Sequence, residues 1–435
     1  MTASESLPVA AVVYSTGSAG PAMIARAALG LCEVLFVCDT ANPGVGQLIA
    51  GMRRRFRVCD ISGLDARAAA AALRDEKPAG VTTFSEHCLT QTAQLAAALR
   101  LRYPESGVIQ TIVDKFAQRS ALRAAGIDDT PSTMVRSAAE VHAAAGRIGY
   151  PVVVKPRTGS ASRCTVRIDG PGQCLNVLAG NQGLAADLAG PPAFVVEKCL
   201  LGDDSVAGKG WGDYVSVEAA MLDGVHYSIA VAGKLPLAVP FRETGHFIPS
   251  TLSAAMESEV TEFASAAVRT LGITDGITHT EVKLTGNGPR VIEVNARMGG
   301  HVVDVLMAAR GYDLTRAALQ VALGRRPDPV ASRRAGVGFK CFLVAPQHVG
   351  RVRSVCGADE TREIPGIAAV DVLAAPGQDL DWRMGNQRLG SVEGTAPDHL
   401  SLRSVITEIG AKFYAEYEEP YPLPTGVPPG ADYQC

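Results

Sequence analysis

The stretch His279-Thr-Glu281-Val-Lys283-Leu-Thr285-Gly-Asn-Gly-Pro289-Arg-Val-Ile-Glu293-Val-Asn295-Ala-Arg297-Met-Gly-Gly300 constrains this chain more than any other. Two alternating runs flank a Gly/Asn/Pro turn, which is the pattern of a β-hairpin. With the turn centred on Asn287, residue 284 pairs with 290, 283 with 291 and 281 with 293. Glu281 and Glu293 then stand opposite each other on one face, with Cβ atoms about 5 Å apart. Like charges in that arrangement destabilise a sheet unless something positive sits between them. Asn295 shares the face by the period of two and adds a neutral oxygen ligand. Two carboxylates and an amide oxygen suit Mg²⁺, which keeps few protein ligands and takes the rest from phosphate oxygens and water. Arg297 offers a planar fork for a phosphate or a carboxylate. The bland alternative is a solvated hairpin whose glutamates face water. Asn295, Arg297 and Gly299-Gly300, following in that order, favour the metal–phosphate reading.

The rest of the chain predicts α/β and α+β architecture in several domains. At about 150 residues per domain, 435 residues imply about three. A hydrophobic content of 47% is ample for packed cores. The run at 8–14 reads as a strand buried on both faces, as in a parallel sheet. Strands at 33–38, 55–60 and 80–84 alternate with helices at 21–29, 64–75 and 90–101, predicting a doubly wound domain over 1–110. Helices are expected at 114–125, with Asp114 as N-cap, and at 137–147, with Ser137 and Glu140 as a capping box. Strands at 151–155, 164–168 and 193–198 place a central subdomain at 111–200. A meander and the hairpin fill 201–330, a further α+β region 331–417, and a Pro-rich tail 418–435. Leu402, Val405, Ile406, Ile409 and Phe413 form the core stripe of a late helix.

Several function classes are disfavoured. Lys+Arg of 41 against Asp+Glu of 44 gives a net charge of −3, with no electrostatic case for nucleic acid or an anionic membrane. No apolar run reaches the length of about 18 residues that spans a bilayer. The N-terminus lacks a basic segment and reads straight into a strand, so no signal peptide is expected. None of the 10 cysteines forms CxxC or a zinc-ligand spacing, which predicts a reducing, cytoplasmic compartment.

Two further elements point to a nucleotide. Val152-Val-Val-Lys155-Pro156 is a strand with one Lys in an apolar run, and a buried Lys needs a partner such as a phosphate. The following loop, with Gly159, Ser160 and Ser162, can fold backbone N–H groups over phosphates. The strand ending in Glu197-Lys198 can pair its backbone with an adenine edge. Glu86 and His87 lie just past the end of an α/β strand, where ligands bind in open sheets.

Taken in order, Asp114-Lys115, the VVVKP strand, the EKCL hinge at 197–200 and the HTEVKL…VIEVNARMGG hairpin resemble the ATP-grasp superfamily over roughly 110–325. Glu243-Thr-Gly-His246, His279-Thr-Glu281 and the block 335–415 are similar to its L-amino acid ligase branch. The resemblance implies an ADP-forming ligase that joins a carboxylate to an amine through an acyl phosphate, in specialised peptide or antibiotic biosynthesis. It implies ATP and Mg²⁺, or Mn²⁺, as cofactors, small-molecule carboxylate and amine substrates, and a homodimer. Lys115, Lys155 and the loop with Ser160 and Ser162 would meet phosphates. Glu197, Lys198 and Leu200 would frame the adenine, and Asp204 or Asp213 the ribose. Glu281, Glu293 and Asn295 would hold the metal. Arg297 would stabilise the transferring phosphoryl group, and His279 is either catalytic or structural. Glu86, Glu243, His246, Arg297, Gly299, Gly300 and His301 would line the substrates. Gly17 and Gly20 match a dinucleotide loop only loosely, and NAD is not expected. The alternatives are another ATP-grasp enzyme, a carboxylase or purine-type ligase, and a non-catalytic nucleotide-binding protein.

Overall fold

The strand at the N-terminus shows why its sequence is apolar at every position. In a computed structural model, which describes residues 6–418 except 43, 174–192, 331–335 and 348, β1 (Val9–Tyr14) lies inside a four-stranded parallel sheet. Its order is β3 (Arg57–Asp60), β2 (Glu33–Cys38), β1, β4 (Gly80–Thr83). Ala10, Val12 and Tyr14 join one core and Ala11 and Val13 another, so both faces of the strand are covered. The first of these cores also contains Met298 and Val302, which ties the parallel sheet to the segment that follows the hairpin.

The second sheet is antiparallel, in the order β5 (Ser132–Val135), β8 (Phe194–Lys198), β6 (Val152–Pro156), β7 (Val166–Ile168). Two helices lie beside it. Asp114 caps the helix Lys115–Ala124 by accepting from the amides of Phe116 and Ala117. Ser137 caps Ala138–Ile148 by accepting from the amide of Glu140, while Glu140 accepts from the amide of Arg136. The last of these bonds reaches one residue further back than the reciprocal bond of a capping box.

The largest sheet is antiparallel and has eight strands. Its order is β13 (Gly288–Asn295), β12 (Gly276–Thr285), β9 (Tyr214–Leu222), β10 (Val225–Lys234), β11 (Gly245–Ile248), β14 (Val337–Val344), β17 (Arg388–Ala396), β16 (Ile367–Val372). The late strands therefore extend the sheet that carries the carboxylate hairpin. A separate pair joins β15 (Val352–Cys356) to β18 (Tyr414–Tyr417). The late amphipathic stripe falls on the helix His399–Lys412, whose Leu402 and Ile409 are buried.

The hairpin is present, but its inner register differs from the expected one. Glu281 pairs with Glu293 as the alternation predicts, whereas Lys283 pairs with Arg290 and Leu284 with Pro289. The strands are closed by Thr285 and Gly288, leaving Gly286 and Asn287 as a two-residue loop. Ile292 is then the extra residue of a β-bulge, which restores the carboxylate pairing. Helices Val45–Arg53 and Ser106–Val113 were not expected from the sequence. The greater part of the Pro-rich tail, together with Cys174 and Cys435, lies outside the described residues.

Candidate active site

The two antiparallel sheets enclose a cleft of about 940 Å³, open to solvent. Its walls include Lys115, Lys155, Ser160, Ser162, Glu197, Leu200, Glu243, Glu281 and Glu293, all singled out in the sequence. They arrive from helix Lys115–Ala124, from β6 and its following loop, from β8 and the residues just after it, from the connection between β10 and β11, and from the hairpin strands.

Lys115 Nζ sits 2.7 Å from Glu293 Oε1 and 2.5 Å from the carbonyl of Gly159. It thereby joins the small-residue loop to one of the paired carboxylates. Burial alone would raise the Glu293 carboxyl, but Lys115 and Lys155 outweigh it and hold Glu293 below the usual carboxylate range. Burial likewise opposes ionisation of Glu281, and a hydrogen bond from His279 reverses the direction. Both carboxylates are thus held ionised on one cross-strand pair. Among the described residues no group of three or more His, Cys, Asp or Glu clusters as a metal site. Two ionised carboxylates and the amide of Asn295 fit an ion that takes its other ligands from phosphate and water.

Lys155 has a protein partner. Its Nζ donates to Glu197 Oε1 at 2.6 Å, and Arg119 approaches Glu197 Oε2 at 3.4 Å. Arg119 also reaches Asp128 and the carbonyls of Val291 and Ile292, stitching helix Lys115–Ala124 to β8 and β13. The loop after β6 turns through left-handed backbone at Gly159, Ala161, Ser162 and Cys164. A succession of this kind can orient amide hydrogens into an anion-binding concavity.

His279 is the register partner of Glu218 on β9. Its Nδ1 lies 2.6 Å from Glu218 Oε1, and its Nε2 lies 3.4 Å from Glu281 Oε1. Burial disfavours the imidazolium, but the two carboxylates prevail and push His279 up to about 9. Gly299 faces this ring so closely that a Cβ there would fall 2.5 Å from Nδ1. Arg297 Nε donates to Glu86 Oε2 at 2.7 Å, and its Nη2 reaches Asn295 Oδ1 at 3.3 Å. Glu86 comes from the turn after β4. That turn is pressed against Gly17, where a Cβ would meet the carbonyl of Phe84 at 2.1 Å, and Ser18 Oγ donates to the carbonyl of Met298.

Other expected residues are spread around this centre. Lys198 Nζ donates to the carbonyls of Gly149 and Tyr150, away from the cleft. Asp213 pairs at 2.6 Å with Lys283, which lines the cleft, whereas Asp204 is exposed at the start of the short helix Asp204–Ala207. Glu243 lies on the wall and His246 is buried behind it. His301 takes left-handed backbone just past Gly300, around which a Cβ would meet nothing. Sequence reasoning missed Glu218, Lys234, Lys283, Arg388 and Arg119. For Glu218 and Lys234 the signal was a lone charge in an apolar strand. Arg388 and Arg119 gave none, since an Arg among polar residues reads as solvated.

Residues 148–304 match the ATP-grasp domain family, so the chain contains an ATP-grasp domain, and its fold agrees. Enzymes of this class use ATP and divalent metal ions. The chain is 28% identical to alanine–anticapsin ligase of Bacillus subtilis (strain 168), over 67% of this chain and 64% of that one. It is 26% identical to carnosine synthase 1 of Homo sapiens, over 64% of this chain and 35% of that one. The L-amino acid ligase from Bacillus licheniformis shares its fold, with a TM-score of 0.75 at 21% identity, covering 95% of this chain and 99% of that one. These similarities fall among ligases that the names describe as joining or acting on amino acids.

Proposed function

We propose that this chain is an ADP-forming carboxylate–amine ligase. It joins an amino acid, or a related carboxylic acid, to an amine through an acyl phosphate. The observation that carries this reading is the pair Glu281 and Glu293, the latter held by Lys115, on the cleft wall, with Arg297, held by Glu86, bonded to the neighbouring Asn295. A module that only bound nucleotide would have no use for this set.

The roles follow from the chemistry of each group. Lys115, Lys155 and the loop bearing Ser160 and Ser162 bind the phosphates of ATP. Glu197, Lys198 and Leu200 offer strand-end backbone to the adenine. Asp213, positioned by Lys283, is favoured over the exposed Asp204 for the ribose. Glu281, Glu293 and Asn295 would hold Mg²⁺, or Mn²⁺, and the chemistry such an ion supplies is neutralisation of phosphate charge during transfer. Arg297 binds the transferred phosphoryl group and then the tetrahedral oxyanion. Glu86, Glu243, His246, Gly299, Gly300 and His301 surround the two substrates. His279 holds Glu281 in its ionised form through Nε2. The amine attacks the acyl carbon, the C–N bond forms, and phosphate leaves with the oxygen that came from the carboxylate. The names of the relatives support a place in specialised peptide synthesis. Among the described residues no helix is long and apolar enough to cross a membrane. A cytoplasmic homodimer is part of the same proposal.

The test is ADP and phosphate release with Mg·ATP over a matrix of amino-acid pairs, with mass spectrometry of each active well and bicarbonate as a separate carboxylate. Release that requires both a carboxylate and an amine, with a product lighter than their sum by one water, is the expected result. Release with bicarbonate alone would make the chain a carboxylase.

A further inference from the structure

Lys234 ends β10 with its side chain fully buried. Its Nζ lies 3.4 Å from Glu243 Oε1 and 3.1 Å from His246 Nδ1. Arg388 opens β17, and its Nη2 donates to the other oxygen of the same carboxylate, Glu243 Oε2, at 3.3 Å. Two cations therefore share one carboxylate. The nearby Glu218 and Glu281 are both engaged by His279. His246 adds no positive charge, because burial and the adjacent Lys234 keep its imidazole neutral. Its Nδ1 accepts from the ammonium, so Nε2 carries the proton. That nitrogen, Arg388 Nε and Tyr214 Oη are all buried without a hydrogen-bond partner. Buried donors that lack an acceptor are costly unless an acceptor such as an oxyanion completes the site.

Arg388 is the member that a ligand can reach. Its side chain is 14% exposed, and its guanidinium lies 3.7 Å over the ring of Phe342. His301 packs against the same ring at 5.2 Å. Arg388 therefore stands between Glu243 on the cleft wall and His301 beyond the Gly299-Gly300 turn.

We propose that Arg388 and Lys234 form a subsite for an oxyanion group of a reactant. Arg388 is the contact, and Lys234 is a positioning residue that holds Glu243 and adds the second charge. The identity of the reactants rests on the ligase reading. On that reading the group is either the carboxylate of the amine-bearing substrate or the phosphoryl oxygens of the activated one. A guanidinium fork matches both.

Equilibrium binding tests this without turnover. The full chain loaded with Mg·ADP is titrated calorimetrically with inorganic phosphate, with each L-amino acid, and with the corresponding amino-acid carboxamides. R388Q should weaken binding of the recognised group at least tenfold. E243Q, which frees both cations, should tighten the same binding, and a purely structural role would not give opposite signs. R388K keeps the charge and should show an intermediate loss, which covers the case in which R388Q fails to fold. A preference for amino acid over carboxamide that R388Q abolishes assigns the substrate carboxylate. A loss confined to inorganic phosphate assigns the phosphoryl group. Wild-type protein that binds none of these probes, or folded R388Q and E243Q that bind them as wild type does, would overturn the subsite. Opposite shifts in a chain that never releases ADP would refute the ligase reading and leave the subsite standing.

Discussion

Two adjacent glycines carry different burdens. A methyl group at 299 would collide with the His279 imidazole, while one at 300 would enter open space. G299A should displace the ring from Glu218 and Glu281 and lower kcat by about 10²-fold, whereas G300A should stay within a few-fold of wild type in the ADP-release assay. Glu293 gives a sharper test of the carboxylate pair. E293Q should lose activity by about 10²-fold or more, with nucleotide binding in the absence of metal changed little. Wild-type turnover in that variant would remove the metal assignment. R297K loses the Nε–H that Glu86 accepts as well as the planar fork, and should be damaging although the charge is kept.

At the scale of elements, the hairpin shows what a sequence can and cannot reveal. The pairing of Glu281 with Glu293 follows from alternation and from a turn made of Gly and Asn. The bulge at Ile292 does not, because a bulged isoleucine looks like any other residue of the run. The Asp114 and Ser137 caps were legible because capping is local chemistry. The junction of β11 with β14 was not, because nothing local encodes a pairing between strands so far apart in sequence. The same holds for Arg388, which acquires meaning only once β17 lies beside β14. At that junction Lys340 bonds Asp304 at 2.8 Å and Glu393 at 2.9 Å, tying helix Val302–Arg310 to the sheet. Burial alone would raise Asp304, but the His301 ring, 3.9 Å away, and the hydrogen-bonded Lys340 ammonium bring it down to about 2, from an ordinary value of 3.8. A depressed carboxyl stabilises the fold fully above its unfolded pKa, and the contribution fades as pH falls through the folded value. Asp304 should thus supply on the order of 2 kcal/mol near neutrality that disappears between about pH 4 and pH 2. Acid unfolding curves of D304N should lack that component, and coincident curves would refute it.

At the scale of the whole molecule, the segment Trp382–Arg388 links parts that the sequence presents as unrelated. The amide of Asn386 donates to the carbonyl of Ala161 in the phosphate loop at 3.1 Å, and the amide of Cys164 donates to the carbonyl of Arg383 at 2.8 Å. The side chain of Asn386 meanwhile accepts from the amide of Glu243 and donates to its carboxylate. Gly385 takes left-handed backbone, and a Cβ there would lie 2.0 Å from the Ala161 carbonyl. G385A should push the loop away, raising KM for ATP about tenfold and costing on the order of 1–2 kcal/mol in thermal unfolding. A variant with unchanged KM would show that the loop does not depend on this contact.

Asn386 thus works as a crossbar between two latches. Because Asn386 bonds both, a shift of the loop at Ala161 would be carried to the wall at Glu243. Binding in the two halves of the cleft should therefore be coupled, and initial-velocity patterns that show an ordered addition of nucleotide and second reactant are the expected outcome.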